Sequence, residues 1–305
     1  ILMKKKFFIL LVVLLFGIYS KASDYDVVIV GGTPAGITAA IAASREGKNC
    51  VILERSQHIG GLPVNGLGAT DIGTRGATMG MFGQFVALNK AYYSQKYGDN
   101  SAQLRDCSDG YHFEPSVAAE TFNKMIALSG PGKIEVLTLR QFDSQPKYVE
   151  KQGKKIVSIR IFNRETSKEE YYKGQIFIDA TYEGDLAAAA GVPYKLGREG
   201  ADEYGEPCAG KIYRWWKHGP DDKGTTYQGD NAIQAYNYRL CLTNNPDNRI
   251  DISRPEKYNR DEYISLIDDV LDGRNTDSRF RIIDEIKMAE NRKRILAGER
   301  TSTPG

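Results

Sequence analysis

YDVVIVGGTPAGITAAIAASREGKNCVILERSQHIGG, residues 25–61, is the stretch that decides the fold. Four consecutive apolar residues, 27–30, run into the glycine-rich turn GGTPAG, and an alanine-rich helix follows the turn. A second apolar strand, residues 50–53, then leads directly into Glu54. Strand, turn, helix, strand and acid in this order predict the βαβ unit that binds the ADP half of a dinucleotide. The alternative is a βαβ unit that serves only as part of the core.

The turn has the residue types that close contact with a phosphate requires. Gly31 allows the tight turn out of the strand, and Gly36 lets the helix lie close to the sheet. The first N–H groups of the helix and the positive end of its dipole then favour a pyrophosphate. Thr33 replaces the usual second glycine; its β-carbon crowds the approach to phosphate, and its hydroxyl could compensate by donating a hydrogen bond. Glu54 is placed to accept hydrogen bonds from ribose hydroxyls.

Residues 1–22 have the pattern of a secretory signal peptide. Met3 is followed by three lysines, an apolar run over residues 7–19 and the sequence Ser-Lys-Ala at 20–22. The apolar run is shorter than the roughly 20 residues that a membrane-spanning helix needs. We therefore expect residues 1–22 to be removed and the protein to be exported, periplasmic or secreted, with no stable membrane span after cleavage. The alternative is a retained N-terminal anchor.

Charge and cysteine content argue against several other classes of protein. The chain has 305 residues, with 41 Lys and Arg against 39 Asp and Glu. Four of the lysines belong to residues 1–22, so the remainder has 37 basic against 39 acidic residues and no basic stripe for nucleic acid. The four cysteines are widely spaced with no CxxC, so we expect no zinc or iron–sulfur site and no other metal. Cys50, in a buried-strand pattern, is expected to be a free packed thiol.

Beyond residue 61 the sequence predicts a glycine-rich loop, then helices and a region rich in strands. The helices are expected over residues 81–97 and 116–128, with Ser116 as the N-cap of the second. Strands are expected over residues 134–139, 156–162 and 171–178, the last two as a hairpin. A strand-like stretch over residues 232–243 and a charged helical tail over 260–297 follow.

Several motifs, in this order, resemble the FAD-dependent oxidoreductases of the two-dinucleotide-binding-domain type. The match is closest to the heterodisulfide-reductase-subunit-A-like FAD-dependent oxidoreductase family and covers about residues 25–274. The motifs that carry it are GGTPAG (31–36), Glu54 with the glycine pair 60–61, GLGATDIG (66–73), FEPSVA (113–118), DATYEGDLAAAAGV (179–192) and QAYNYRLCLT (234–243). The resemblance implies an α/β fold, a Rossmann-like FAD/NAD(P)-binding domain with an inserted β-rich substrate region. The cysteine clusters that bind iron–sulfur centres in the subunit-A relatives do not occur in this sequence.

The resemblance also implies a set of residues that bind the cofactor, FAD. They are Gly31, Gly32, Thr33, Pro34, Ala35 and Gly36 at the pyrophosphate, Glu54 and Arg55 at the adenosine ribose, Gly60 and Gly61 on the ribityl side, and Asp179, Ala180 and Thr181 where the chain returns to the cofactor.

No residue type or spacing in the sequence identifies a catalytic side chain. Glu183 and Asp185 are either paired carboxylates for acid–base chemistry or, in the case of Asp185, the cap of the following alanine-rich helix. Arg239 either contacts an anionic or sugar-like substrate or forms a structural ion pair. His58, just before the second glycine pair, is more simply an exposed loop residue than a covalent link to flavin. The two tryptophans at 215–216 either stack on a sugar or pack between domains.

Residues 23–200 are expected to form the FAD-binding domain, with inserted strands over about 134–178, and residues 201–305 a partial substrate or cap region. Flavoproteins of this type are usually considerably longer, so the chain looks like the N-terminal part of a longer protein. The expected function is an exported oxidoreductase that transfers a hydride between flavin and a small organic substrate, with a carbohydrate derivative as one candidate and an unknown electron acceptor. The alternatives are a flavin-binding module without activity and a flavin-dependent lyase or isomerase without net redox change.

Overall fold

The computed structural model describes residues 23–213 and, further along, residues 220–221, 223–233, 239, 243, 246–247, 249–250 and 253–263. The chain divides into two compact units, Ile1–Leu240 and Cys241–Gly305. Among its described residues the second unit contains one 3₁₀ turn, Arg260–Tyr263. Most of the predicted strand over 232–243 and most of the predicted tail over 260–297 lie outside the described residues.

One mixed sheet organises the first unit. Its strands are β1 (Ser23–Val30), β2 (Cys50–Leu53), β3 (Ile134–Leu137), β4 (Arg140–Phe142), β5 (Val149–Gln152), β6 (Lys155–Asn163) and β7 (Lys168–Asp179). Their order is β3-β2-β1-β7-β6-β4, with β5 also paired to β6. The four strands β3, β2, β1 and β7 run parallel, and β4, β5 and β6 are antiparallel to their neighbours. The predicted α/β class with a Rossmann-like parallel core is confirmed.

The helices are short apart from three. They are α1 (Pro34–Arg45), α2 (Gly80–Tyr97), α3 (Ala102–Asp106), α4 (Pro115–Ala127), α5 (Asp185–Ala189) and α6 (Ala201–Tyr204). The helices predicted over 81–97 and 116–128 are confirmed as α2 and α4. The prediction of Ser116 as an N-cap is wrong, because α4 begins one residue earlier at Pro115 with Glu114 in the cap position. Proline is favoured at this first helical position, where its missing N–H costs nothing.

The apolar run of β1 is buried on both faces of the sheet. Val27 and Ile29 belong to the core beneath α1, α2 and α4, which also contains Phe85. Val28 and Val30 point the other way, into a core shared with the antiparallel strands. Because successive side chains of a strand alternate between faces, an unbroken apolar run requires cover on both sides of the sheet. The antiparallel strands and α5 supply the second cover.

The antiparallel insertion is narrower than the predicted range of about 134–178. β3 pairs in parallel with β2, so it is the edge of the parallel sheet. β7 pairs in parallel with β1 over most of its length and antiparallel with β6 over its first half. The hairpin predicted over 156–162 and 171–178 is confirmed as β6 and β7. The insertion proper is therefore β4 to β6.

The described cysteines are all free thiols. Cys50 is buried in β2, as predicted, and burial is the main reason that the pKa of its thiol is raised. Cys107 is buried and Cys208 is exposed, while Cys241 lies outside the described residues.

Among the described residues, no helix combines the length and the apolar character that crossing a membrane requires.

Candidate functional site

The carboxyl ends of β1, β2 and β7 meet at one edge of the sheet. Hydrogen bonds fix this junction: the N–H of Gly31 donates to the carbonyl of Leu53 at 2.9 Å, and that of Ala180 donates to the carbonyl of Val30 at 2.8 Å. After β1 the chain continues through α1 into β2, which lies on one side of β1, while β7 lies on the other side. In open α/β sheets such a switch in strand order leaves a crevice in which ligands bind.

Two glycines of the GGTPAG turn are required by close packing. Gly31 has φ +103°, and a β-carbon there would lie 2.6 Å from the carbonyl oxygen of Ala180. A β-carbon on Gly36 would lie 2.1 Å from the carbonyl oxygen of Gly31. Neither contact can be relieved by moving a side chain, since both neighbours are backbone. The tight turn and the close helix that the sequence predicts are both present.

Thr33 is used differently from the sequence expectation. Its hydroxyl donates to the carbonyl oxygen of Ala180 at 2.7 Å and accepts from the N–H of Gly36 at 3.4 Å, as the N-cap of α1. The side chain is buried, and its single proton is committed to Ala180. Thr33 therefore ties the turn after β1 to the loop after β7 and does not offer that proton to a ligand.

Glu54 holds a buried carboxylate at the end of β2. Its Oε2 accepts from the N–H of Gly32 and its Oε1 from the N–H of Ser56, each at 2.7 Å. A carboxylate oxygen can accept more than one hydrogen bond, so both oxygens keep capacity for ligand hydroxyls. The two backbone donors fix the orientation of the carboxylate, and its predicted contact with ribose stays a prediction.

The second glycine pair runs beside the first. The N–H of Gly60 donates to the carbonyl of Gly32 at 2.6 Å, which joins the loop after β2 to the GGTPAG turn. Gly60 and Gly61 both have positive φ, and a β-carbon on Gly60 would overlap the side chain of Val64. The second glycine pair thus lies beside the first, and its predicted place on the ribityl side of FAD stays a prediction.

Asp179 organises the loop that follows β7. Its Oδ1 accepts from the N–H and the hydroxyl of Thr181 at 3.0 and 2.7 Å, and its Oδ2 accepts from the N–H of Ala187 at 2.8 Å. The last bond satisfies a free donor in the first turn of α5. The prediction that Asp185 caps this helix is wrong, because Gly184 occupies the cap position and Asp179 reaches the helix from the preceding strand.

Replacing Asp179 by alanine is therefore expected to lower the free energy of unfolding by about 2 kcal/mol, because three donors lose their acceptor. Urea unfolding followed by circular dichroism measures the change. Asp71→Ala, at an exposed loop position, is the control and should leave stability unchanged within about 0.5 kcal/mol. Equal midpoints for the two variants would show that Asp179 does not stabilise the loop.

The two carboxylates after this loop have different surroundings. Glu183 Oε1 accepts from Arg55 Nη2 at 2.8 Å in an exposed ion pair. Asp185 has no hydrogen-bond or ion-pair partner for its carboxylate among the described residues. Burial, followed by repulsion from Glu183 and Asp179, raises the pKa of Asp185, and Arg55 acts in the opposite direction. Glu183 is thus neutralised by a cation, and Asp185 is the carboxylate free to accept a hydrogen bond or a proton.

A cavity of about 470 Å³ opens at this junction. Six predicted cofactor-binding residues line it, namely Gly31, Thr33, Glu54, Arg55, Gly61 and Thr181. The remaining seven do not line it, namely Gly32, Pro34, Ala35, Gly36, Gly60, Asp179 and Ala180. Its size is within the range of small-molecule sites, and apolar atoms supply most of its surface.

Sequence reasoning missed several cavity residues, among them the partly buried Arg140. Arg140 Nε donates to Glu170 Oε2 at 3.2 Å, and its Nη1 donates to the carbonyl of Thr138 at 2.9 Å. Tyr172 and Asn163 also donate to the Glu170 carboxylate, each at 2.6 Å. Burial alone would raise the pKa of the Glu170 carboxyl, but these donors hold that pKa below its usual range. Arg140 is thus committed to Glu170 and forms a neutralised part of the wall.

Other candidates from the sequence lie at the margin or outside the described residues. His58 lines the cavity as an exposed loop residue, as predicted. Arg239 is exposed, and its backbone carbonyl lies 2.9 Å from the position that a β-carbon on Gly66 would occupy. The tryptophans at 215–216 are outside the described residues. No cluster of three or more potential metal ligands occurs in the part of the chain that the structure describes.

Solved flavoenzymes are among the structures similar to this chain. Bacillithiol disulfide reductase from Bacillus cereus is 16% identical, over 52% of this chain and 40% of that one, with a TM-score of 0.34. Glycerol-3-phosphate dehydrogenase from Bacillus halodurans, complexed with FAD, is 11% identical over 55% of this chain and 36% of that one, with a TM-score of 0.35. p-Nitrophenol 4-monooxygenase from Pseudomonas putida is 11% identical over 58% of this chain and 47% of that one, with a TM-score of 0.39. The chain spans about two fifths of the length of the first solved structures that it matches. No curated protein matches the sequence.

The sequence model of the family described as FAD dependent oxidoreductase matches residues 26–295. The site fits the cofactor of that family: two glycines whose β-carbons would strike backbone, a fixed carboxylate at the end of β2, and a cavity at the switch point. The finer resemblance to the heterodisulfide-reductase-subunit-A type stays a prediction. The chain belongs to the family of FAD-dependent oxidoreductases.

Proposed function

We propose that this protein is an exported oxidoreductase in which FAD exchanges a hydride with a small organic substrate. The observation that carries the proposal is the cavity at the carboxyl ends of β1, β2 and β7, with the Glu54 carboxylate held on its wall by two backbone N–H groups. Bound FAD supplies the hydride chemistry itself, so the protein has to bind it, orient it and place the substrate.

The chain's own residues suit the binding of the ADP half. Glu54 can accept hydrogen bonds from ribose hydroxyls. The start of α1 favours a pyrophosphate through the helix dipole and the N–H of Ala35, since Pro34 has no N–H and that of Gly36 donates to Thr33. Gly60 and Gly61 bring backbone close to the cavity without side chains. Asp185 is the carboxylate in the cavity wall that could hold or accept a proton. The positions of these residues around the cavity support the proposed roles.

The substrate class is the least constrained part of the proposal. Export favours a compound found outside the cytoplasm, and a carbohydrate derivative is the first class to test. The electron acceptor is unknown. Arg239, exposed beside Gly66, is the candidate to contact an anionic or sugar-like group.

Export itself has a direct test. When the chain is expressed in a bacterium with its own N-terminal segment in place, we expect the protein in the periplasm or medium to begin at Ser23. Mass spectrometry of the intact protein measures this. A protein that keeps residues 1–22 and sediments with membranes would instead support the retained anchor.

The visible absorbance spectrum of the purified protein tests the proposal. We expect a flavin spectrum, release of FAD on denaturation and bleaching of the flavin under anaerobic conditions by a substrate from a panel of sugars and hydroxy acids. Bound flavin that no compound reduces would favour the flavin-binding module. Turnover without any electron acceptor would favour the lyase or isomerase. A folded, colourless protein that FAD does not stabilise would contradict all three.

A further inference from the structure

Two loops at the cavity are joined by a pair of side-chain contacts. The hydroxyl of Tyr182 accepts from the N–H of Leu62 at 2.9 Å, and Glu183 pairs with Arg55 at 2.8 Å. Arg55 and Leu62 follow β2, whereas Tyr182 and Glu183 follow β7. Because β1 lies between those strands and all four residues line the cavity, the contacts run from one side of the cavity to the other.

Gly61 makes room for the first of these contacts. A β-carbon on Gly61 would lie 2.1 Å from the hydroxyl oxygen of Tyr182 and 3.1 Å from Cδ of Pro34. The missing side chain therefore provides the space in which the Tyr182 hydroxyl reaches the N–H of Leu62. Tyr182 remains 57% exposed, so its outer face meets solvent and the side chain can turn away without disturbing the core.

The base of the loop is fixed although its tip is exposed. Asp179 holds Thr181, and the Thr181 hydroxyl accepts from the N–H groups of Gly184 and Asp185 at 2.8 and 3.2 Å. Between these two anchors only Tyr182 and Glu183 project. A tight turn with fixed ends can thus open by rotation of two side chains and does not require the backbone to refold.

We propose that Tyr182 and Glu183 form a clasp, defined by the contacts Tyr182–Leu62 and Glu183–Arg55, that closes over the cavity and slows the release of bound FAD. The clasp rests on the cofactor and not on the proposed substrate or on export. Tyr182 and Glu183 act on FAD by holding two loops together, so they are positioning residues and take no part in hydride transfer.

The rate of FAD release from the purified protein tests the clasp without any substrate. Release is followed by the rise of flavin fluorescence after dilution into an excess of an apoflavoprotein that captures free FAD. Tyr182→Phe removes one neutral hydrogen bond and Glu183→Gln removes one exposed ion pair, so each is expected to speed release about three- to fivefold. The double variant should release FAD faster than either single variant.

Glu203→Gln is the matched control. It breaks an exposed ion pair with Lys195 on residues that do not line the cavity, so release should match that of the original protein. Added salt should speed release in the original protein and have less effect in Glu183→Gln, because salt screens the Arg55–Glu183 attraction. Urea unfolding of each apoprotein shows whether a variant has lost stability.

The original protein alone gives a second readout, hydrogen exchange at the Leu62 amide. This amide is expected to exchange more slowly when FAD is bound, since a closed clasp keeps its hydrogen bond to Tyr182. Release at the original rate in both Tyr182→Phe and Glu183→Gln would overturn the clasp. The clasp would also be overturned if Glu203→Gln released FAD as fast as the two clasp variants, or if bound FAD left the exchange rate of the Leu62 amide unchanged. A purified original protein that holds no FAD would overturn it as well.

Discussion

Replacing Gly36 by alanine is expected to remove FAD binding and to lower the free energy of unfolding by about 3 kcal/mol. The new β-carbon would lie 2.1 Å from the carbonyl oxygen of Gly31 and 3.2 Å from both Ala180 Cβ and Ile29 Cγ2. Because the nearest atom is backbone, either α1 or the turn after β1 has to shift. That shift displaces the start of α1, where the helix dipole and the N–H of Ala35 would bind a pyrophosphate.

The measurements are flavin absorbance of the purified variant, FAD titration of its apoprotein and urea unfolding. Gly76→Ala is the control, since a β-carbon there meets no atom within 4 Å and φ lies outside the left-handed range. It should bind FAD and unfold like the original protein. If Gly36→Ala retained full FAD affinity, helix α1 could not be packed against the turn as closely as the structure shows.

The part of the fold that the sequence predicts well is the part coded by contiguous residues. The apolar run of β1, the GGTPAG turn and the strand ending at Glu54 each determine local conformation, and their order leaves few alternatives. The hairpin of β6 and β7 is equally local, since a short chain segment connects its strands. Here the predicted elements agree with the structure to within a few residues.

The same reasoning could not predict which strands pair when they lie far apart in the sequence. β3 has an apolar pattern like those of the neighbouring strands of the insertion, yet it pairs with β2, from which three helices separate it along the chain. Nothing in its own sequence distinguishes the two partners. The ion pair of Arg55 with Glu183 joins residues 128 apart and is visible only once β2 and β7 both flank β1.

The predicted helix caps were wrong for a related reason. A serine or aspartate at the start of a helix is a good local signal, but Pro115 displaced the first cap by its own preference for the first helical position. At α5 the acceptor came from Asp179, eight residues before the amide of Ala187 that it binds. The sequence names Asp179 as a cofactor residue because of the motif around it, while its carboxylate is occupied with the fold of the loop.

Replacing Glu54 by glutamine is expected to weaken FAD binding about tenfold to a hundredfold and to lower the free energy of unfolding by about 1–2 kcal/mol. The carboxylate accepts from the N–H groups of both Gly32 and Ser56. A side-chain amide has one oxygen and one NH₂ group, so one of the two backbone donors would face another donor. The same change removes an acceptor for the ribose hydroxyls. Titration of the apoprotein with FAD and urea unfolding measure the two effects separately.

The two measurements separate the structural role of Glu54 from its role toward FAD. Glu120→Gln, at a surface position on α4, controls for the loss of one negative charge and should change neither quantity. Loss of stability with unchanged FAD affinity would contradict the ribose role and leave Glu54 as a brace for the GGTPAG turn. Loss of affinity in a variant whose apoprotein keeps its stability would mean that the backbone hydrogen bonds can adjust. We expect both losses because the fold holds the carboxylate in place at the wall of the cavity. The backbone donors that stabilise it also fix the direction in which it would meet the cofactor.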